Sequence, residues 1–456
     1  MARRRSTMTV IILSMAVIVM MVLSTGQSGI AFPVDQPVEA LFTDAARPER
    51  DLSDDPTIIH TRFVNVNFDL LGGTGSSPKT QSEMAKVLLL NLFEAVVFTG
   101  VLDRVESNPS GSFSWIGYLE GVEYSQVILV VKERVMAGNI TLPGEFYQVR
   151  YVGNGVHAIH QIDQGAFPPE AEPIPGDIFQ GELGEAAHTA TADDGSIIDV
   201  MVVYTPAART EAGGTTDMEN LIDLAVAETN QSYDNSGITP RLNLVHTEEV
   251  SYTESGDMND DLDRLINPSD GYMDNVHTLR DTYLADLVDL IVETADYCGL
   301  AHTMGTVSPS FESLAFSVVG RDCATGYYSF AHELGHNMGA RHDWYVNEDV
   351  TPYTYCHGYV NVADQWRTIM AYNDKCDDSG SYCTRLQYWS NPDVPYGGDP
   401  MGISEGTSIA CTTGNLSNPP CDADNRRTLN NTAYTVANFR SGPSPRIYLP
   451  LTLKNY

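Results

Sequence analysis

The sequence predicts an α/β (α+β) fold: a twisted mixed sheet above a loop-rich, disulfide-stapled lower subdomain, preceded by a small β-rich module. Three observations carry this expectation. Ile197 to Tyr204, Met218 to Tyr233 and Arg241 to His246 follow one another as buried strand, amphipathic helix and strand, the order of α/β packing. Between Thr57 and Asp163 the chain instead shows short alternating runs punctuated by Gly, Asn and Pro, as antiparallel hairpins require. All seven cysteines lie between Cys298 and Cys421, which in an exported chain marks a stapled domain behind a cysteine-free one. The odd count leaves at least one thiol unpaired.

The N-terminus reads as an export signal over 1–31. Arg3 to Arg5 form a basic start, Val10 to Leu23 an apolar run too short for a comfortable membrane span, and Gly29-Ile30-Ala31 a small-x-small cleavage site. Ser24 to Gly26 is the alternative site, and an uncleaved anchor the alternative reading. The 456 residues exceed what one core usually needs, so two folded units are expected. With 26 Lys and Arg against 60 Asp and Glu, the net charge of −34 disfavours nucleic acid and anionic membranes as partners. Solubility explains the acidity; calcium binding by paired carboxylates is its functional reading, although no EF-hand or nonapeptide repeat is present.

The first unit, 32–164, is expected to hold a helix over Met84 to Val97 and strands over Ser112 to Leu119, Ser125 to Arg134, Phe146 to Val152 and Val156 to Ile162. Its place between signal and main domain suggests a propeptide. Without a cysteine, such a segment could block a metal only through Asp, Glu or His, with His157, His160 and Asp163 nearby. Residues 165–196, rich in Pro, Glu, Ala and Gly, read as an exposed linker containing the maturation site. No Lys or Arg lies between Arg150 and Arg209, so trypsin-like processing there is excluded.

The main domain, 197–441, continues with helical pieces at Asp257 to Ile266 and Asp274 to Tyr283 and strands at Ala285 to Glu293 and Leu314 to Val319. A helix from Leu429 to Phe439 closes it, before an extension over 442–456 whose Pro450 opposes a helix. Its centre is Tyr327 to Asp343. A helix over Tyr327 to Met338 places His332 and His336 one turn apart on one face, a zinc-ligand spacing. Glu333 stands beside them as a candidate general base. Gly339 can turn the chain sharply and bring round His342 as a third nitrogen, leaving the fourth position open as catalytic zinc requires. His357 reads as structural.

The pattern from His332 to His342 resembles that of the metzincin metalloendopeptidases, and Thr368 to Tyr372 resembles their Met-turn, with Met370 as its methionine. Asp343, after the third histidine, is similar to the reprolysin branch and its bacterial relatives, as is the opening phrase Ile198 to Pro206. The resemblance implies a sheet-edge strand at Leu314 to Val319 that receives an extended peptide. It also gives Tyr372, placed as in astacins and serralysins, a part in stabilising the transition state. The expectation is therefore a secreted, monomeric zinc endopeptidase made as a zymogen and acting on proteins or peptides. The alternative is an inactive, zinc-stabilised adhesin or binding protein on the same fold, against which an intact Glu333 argues.

Overall fold

Hydrophobic alternation builds the N-terminal module. The structure, a computed structural model, describes residues 39–48, 55–72, 84–176, 194–294, 296–406 and 411–440. The expected signal (1–31), part of the expected linker and the extension 442–456 lie outside these residues. Nine strands, β1 (Phe42–Asp44), β2 (Ile58–Val66), β3 (Val87–Phe93), β4 (Val96–Ser107), β5 (Phe113–Leu119), β6 (Gln126–Lys132), β7 (Val135–Leu142), β8 (Glu145–Gly153) and β9 (Val156–Ile162), form one antiparallel sheet. The order is β1-β2-β9-β8-β7-β6-β5-β4-β3, and Ala40 bridges Leu89 of β3, so the two edges meet and the sheet curls toward a barrel. Its interior holds Trp115, Leu129, Ile140 and Tyr147.

The expected helix over Met84 to Val97 is a hairpin instead. Leu88, Leu90 and Leu92 are fully buried while the residues between them are not, the two-residue period of a strand, and Glu94-Ala95 make the turn into β4. A continuous apolar run of good helix formers hid that period; pairing with β4 and the bridge to Ala40 decided it. Strand β7 was also missed; it starts at Val135, directly after the run expected to end at Arg134.

The second sheet has the order β10-β14-β15-β13-β11-β12. Its strands are β10 (Ile174–Pro175), β11 (Ile197–Tyr204), β12 (Arg241–Glu249), β13 (Leu287–Val292), β14 (Gly299–Thr303) and β15 (Phe316–Gly320). Alternation on β11 sorts the core: Ile198, Val200 and Val202 pack with Met218, Ile222 and Ala225, whereas Met201 and Val203 pack on the other side with Met258, Leu262 and Val276. The first group belongs to helix α2 (Thr215–Ser236), which follows α1 (Pro206–Ala212); the second to α3 (Met258–Ile266) and α4 (Asn275–Tyr283). Thr205 caps α1 by accepting from the Ala208 N–H.

Two corrections concern the cleft. The strand expected at Leu314 to Val319 is β15, and it is not an edge: β13 and β14 flank it. β14, which was not anticipated, lies on the outer side of β15, with β10 of the linker on its far side. The linker was expected to be exposed, yet Glu170 and Ala171 are buried and β10 pairs in parallel with β14, Ile174 opposite His302.

The lower part is loop-rich: α5 (Ser329–Asn337) leads into short strands β16 (Val360–Asn361), β17 (Trp366–Arg367) and β18 (Thr384–Arg385), with α6 (Asp374–Asp377) among them. A hairpin, β19 (Asn391–Tyr396) and β20 (Asp399–Met401), and helix α7 (Asn425–Val436) complete it. Helix α7 begins four residues before the expected Leu429, because the Asp424 carboxylate accepts from the Arg427 N–H and starts it there. Disulfides join Cys298 to Cys323, Cys376 to Cys383 and Cys411 to Cys421, leaving Cys356 as a buried free thiol.

The module packs on α2. Ile116, Ile128, Val130 and Ala137 meet Leu224 and Ala227 of the helix. Polar contacts surround them: Asn139 Nδ2 donates to Glu228 Oε1 at 2.6 Å, Ser112 Oγ to Asp223 Oδ2 at 2.7 Å, and Lys132 pairs with Glu219 at 2.6 Å. Burial pushes Asp223 up to about 6 and Glu228 up to about 7.

Candidate metal centre and active-site cleft

Helix α5 is buried along its whole length, which fixes what its side chains can reach. Phe330, Leu334 and Met338 enter the main core. Gly335 is required by proximity: a Cβ there would stand 2.7 Å from the Trp389 ring and 2.9 Å from Met370 Sδ. Gly339, at φ +88°, ends the helix in the left-handed region, with its N–H donating to the His336 carbonyl at 2.9 Å. The turn brings His342 back over the helix, as the spacing predicted.

The three histidines converge. His332 Nε2 lies 3.1 Å from His336 Nε2 and 3.1 Å from His342 Nε2, and the last two are 3.0 Å apart. The Nδ1–H groups of His332 and His336 donate to the Ile369 and Ala340 carbonyls, each at 2.9 Å. That leaves their Nε2 lone pairs facing inward. Burial holds the rings neutral, pushing His336 down to about 3 and the other two well below the usual imidazole range. Two inward lone pairs and the Nε2 of His342 converge where a cation would stand, and ligands about 2.05 Å from a tetrahedral zinc lie about 3.3 Å apart, close to the spacing found. The residues fit zinc.

The surrounding contacts hold the three imidazoles in place. His357, expected to be structural, donates from Nδ1 to the His342 carbonyl at 2.8 Å and stacks on Trp344 at 3.9 Å. Asp343 accepts from the backbone N–H groups of Tyr345 and Tyr372, at 3.0 and 2.9 Å, which ties the third histidine to the Met-turn. In that turn the Ala371 N–H donates to the Thr368 carbonyl at 3.0 Å, and Met370 is fully buried beneath Gly335. Sequence reasoning used Asp343 only as a family mark and missed this brace.

Glu333 is fully buried, and among the described residues neither carboxylate oxygen has a hydrogen-bond partner. Burial, then the negative charges of Glu170 and Asp289, hold its carboxyl well above the usual range, with Arg385 opposing. It lies against β14, where a Cβ on Gly299 would be 2.4 Å from Glu333 Oε1. Tyr372 is beside the histidines, its ring centroid 4.0 Å from that of His342. Its hydroxyl donates to the carbonyls of Glu170 and Ala171, at 3.1 and 2.9 Å.

The linker therefore crosses the cleft. The Ala171 N–H donates to the Gly299 carbonyl at 3.0 Å, and the Cys298 N–H to the Pro169 carbonyl at 2.9 Å. Glu172 approaches His342 Nδ1 at 3.8 Å, the ring nitrogen opposite the converged Nε2 atoms. The three residues suggested as blocking groups serve elsewhere: His157 accepts from the Met136 N–H, His160 pairs with Thr61, and Asp163 caps the turn at Gly165. Glu170 and Arg385 carried no sequence signal, each sitting in an irregular stretch. The histidine trio is the one group of three or more metal-ligating side chains within mutual reach among the described residues, so the acidity gives calcium no such site there.

This helix, turn and trio define a metallopeptidase. The model of Metallo-peptidase family M12, a reprolysin-type domain, matches residues 194–390. A peptidyl-Asp metalloendopeptidase of Stenotrophomonas maltophilia is 36% identical over 92% of this chain and 96% of its own length. Another of that name, from Xanthomonas campestris pv. campestris, is 37% identical over 78% of this chain and 82% of its own. The chain belongs to this family of bacterial M12 metalloendopeptidases and is a zinc metalloendopeptidase.

Proposed function

We propose that the chain is an exported zymogen whose mature domain hydrolyses peptide bonds next to aspartate, with Glu333 as general base. The observation that carries the chemistry is the converged trio with an unpartnered, buried carboxylate beside it. Zinc, when bound by His332, His336 and His342, supplies Lewis acidity toward the scissile carbonyl and makes water a usable nucleophile near neutral pH. Everything else comes from the chain. Glu333, buried against β14, takes a proton from the attacking water and returns it to the departing amine. β14 receives an extended peptide through backbone hydrogen bonds once β10 has left it. Tyr372, freed from the linker carbonyls, turns its hydroxyl to the developing oxyanion.

The unit 32–164 is read as the propeptide, because its connection to the catalytic domain runs through the cleft. Maturation is by the enzyme itself: the linker lacks Lys and Arg but contains Asp177, Asp193 and Asp194, which suit a protease of the kind its relatives are named for. The test is direct. Glu333→Gln should retain zinc yet remain full length and inactive on casein, and His336→Ala should lose zinc as well; a Glu333→Gln chain that still processes itself would refute the assignment.

A further inference from the structure

Arg385 is a buried cation whose ion-pair partner is supplied by the linker. Its side chain is 1% exposed and that of Glu170 0%, and Arg385 Nη1 meets Glu170 Oε1 at 2.5 Å. Ser329, the first residue of α5, donates to the same oxygen at 2.7 Å. Tyr327 forms the floor: its ring lies 4.3 Å beneath the guanidinium and its carbonyl accepts from Nη1 at 3.0 Å. Phe167 of the linker stacks on that ring at 4.6 Å. The fork is only half used. Arg385 Nε and Glu170 Oε2 have no partner among the described residues.

This pocket adjoins the reacting centre. The residue that fills it carries the carbonyl held by Tyr372, and the next residue pairs with Gly299, the position on which Glu333 rests. A peptide lying where the linker lies thus puts one side chain beside Arg385 while its backbone passes Glu333. Once the linker leaves, the guanidinium above Tyr327 has lost its counter-charge, and an acidic substrate side chain can restore it. A fork of fixed geometry suits a carboxylate and rejects its neutral amide, because the amide would set N–H against N–H.

We propose that Arg385 is the specificity-determining residue, reading the carboxylate of a substrate aspartate next to the scissile bond, and that Glu170 is the substrate mimic that fills its pocket until maturation. This rests on the peptidyl-Asp reading above and names the group that enforces it. Glu170 uses one oxygen, which leaves Nε of the fork for the second oxygen of a substrate carboxylate.

The test uses the full-length chain as wild type, Arg385→Met and Glu170→Ala, with paired peptides that differ only by Asp or Asn, cut sites read by mass spectrometry, and zinc content and circular dichroism as controls. Wild type should prefer Asp over Asn by roughly 100-fold in kcat/KM, the scale of one lost charged hydrogen-bond pair, and Arg385→Met should bring that ratio near one. Glu170→Ala should shorten the lag before self-processing and keep the Asp preference. An Arg385→Met enzyme that still favours Asp, or one that is folded, zinc-loaded and silent, overturns the assignment; an unchanged lag in Glu170→Ala overturns the mimic. If Arg385→Met does not fold, Arg385→Lys replaces it, and an undiminished Asp preference in that variant counts against the proposal. A wild type with no Asp preference would instead strike the peptidyl-Asp reading itself.

Discussion

Replacing Gly299 by alanine should silence the enzyme without unfolding it. The added Cβ would stand 2.4 Å from Glu333 Oε1, 2.6 Å from Cγ and 2.8 Å from Cδ, where ordinary contact begins near 3.4 Å. The carboxylate must therefore retreat by about 1 Å, a displacement that for the proposed general base should cost about 100-fold in rate. The fold has an easy escape, because what moves is the end of a side chain with no hydrogen bonds to break. Stability and zinc content should hold, since neither the β14 backbone pairing nor the histidine trio is touched. The assay is kcat/KM on a peptide, with metal analysis and a melting curve on the same sample. Activity within about threefold of wild type, with Glu333 still essential, would refute the placement of the base against β14.

Three further outcomes follow from other contacts. Gly335→Ala, which in an open helix would stabilise by about 1 kcal/mol, should here destabilise by about 1–3 kcal/mol because the methyl meets Trp389 and Met370; denaturant unfolding reads the sign. Raising the pH from about 4 to 8 should loosen the N-terminal module. Glu228, pushed up to about 7 in the docked state, and Asp223, up to about 6, bind protons there that they would give up on release, so their contribution is complete below the ordinary carboxylate range and lost as pH rises through 6 to 7; a cleaved chain whose two parts separate more readily at pH 5 than at pH 8 contradicts this. Chelation should lower the melting temperature by several degrees, since zinc at about 1,000 times its Kd stabilises by about 4 kcal/mol, and readdition of zinc should restore it.

Much of the site was legible because its chemistry imposes local spacing. His332, Glu333 and His336 are set by one helical turn, and Gly339 announces the bend that returns His342; each falls where the motif put it. Strand β11 and its helix were legible because one period governs each. What the sequence hid is what long-range pairing decides. Val87 to Phe93 looks helical until β4 and Ala40 hold it extended. Gly299 to Thr303 was not anticipated as a strand, yet it lies between β15 and the linker strand β10 beside the cleft. Arg385 and Glu170, 215 residues apart, have no shared pattern, and only the folded chain brings them together.

Three histidines are proposed to hold zinc, and Glu333 to do the acid–base work. The most direct measurement is zinc stoichiometry and peptide hydrolysis on wild type, Glu333→Gln and His342→Ala prepared side by side. The expected result is about one zinc per chain with activity for wild type, one zinc without activity for Glu333→Gln, and neither for His342→Ala. Full zinc in His342→Ala, or turnover by Glu333→Gln near the wild-type rate, would contradict it.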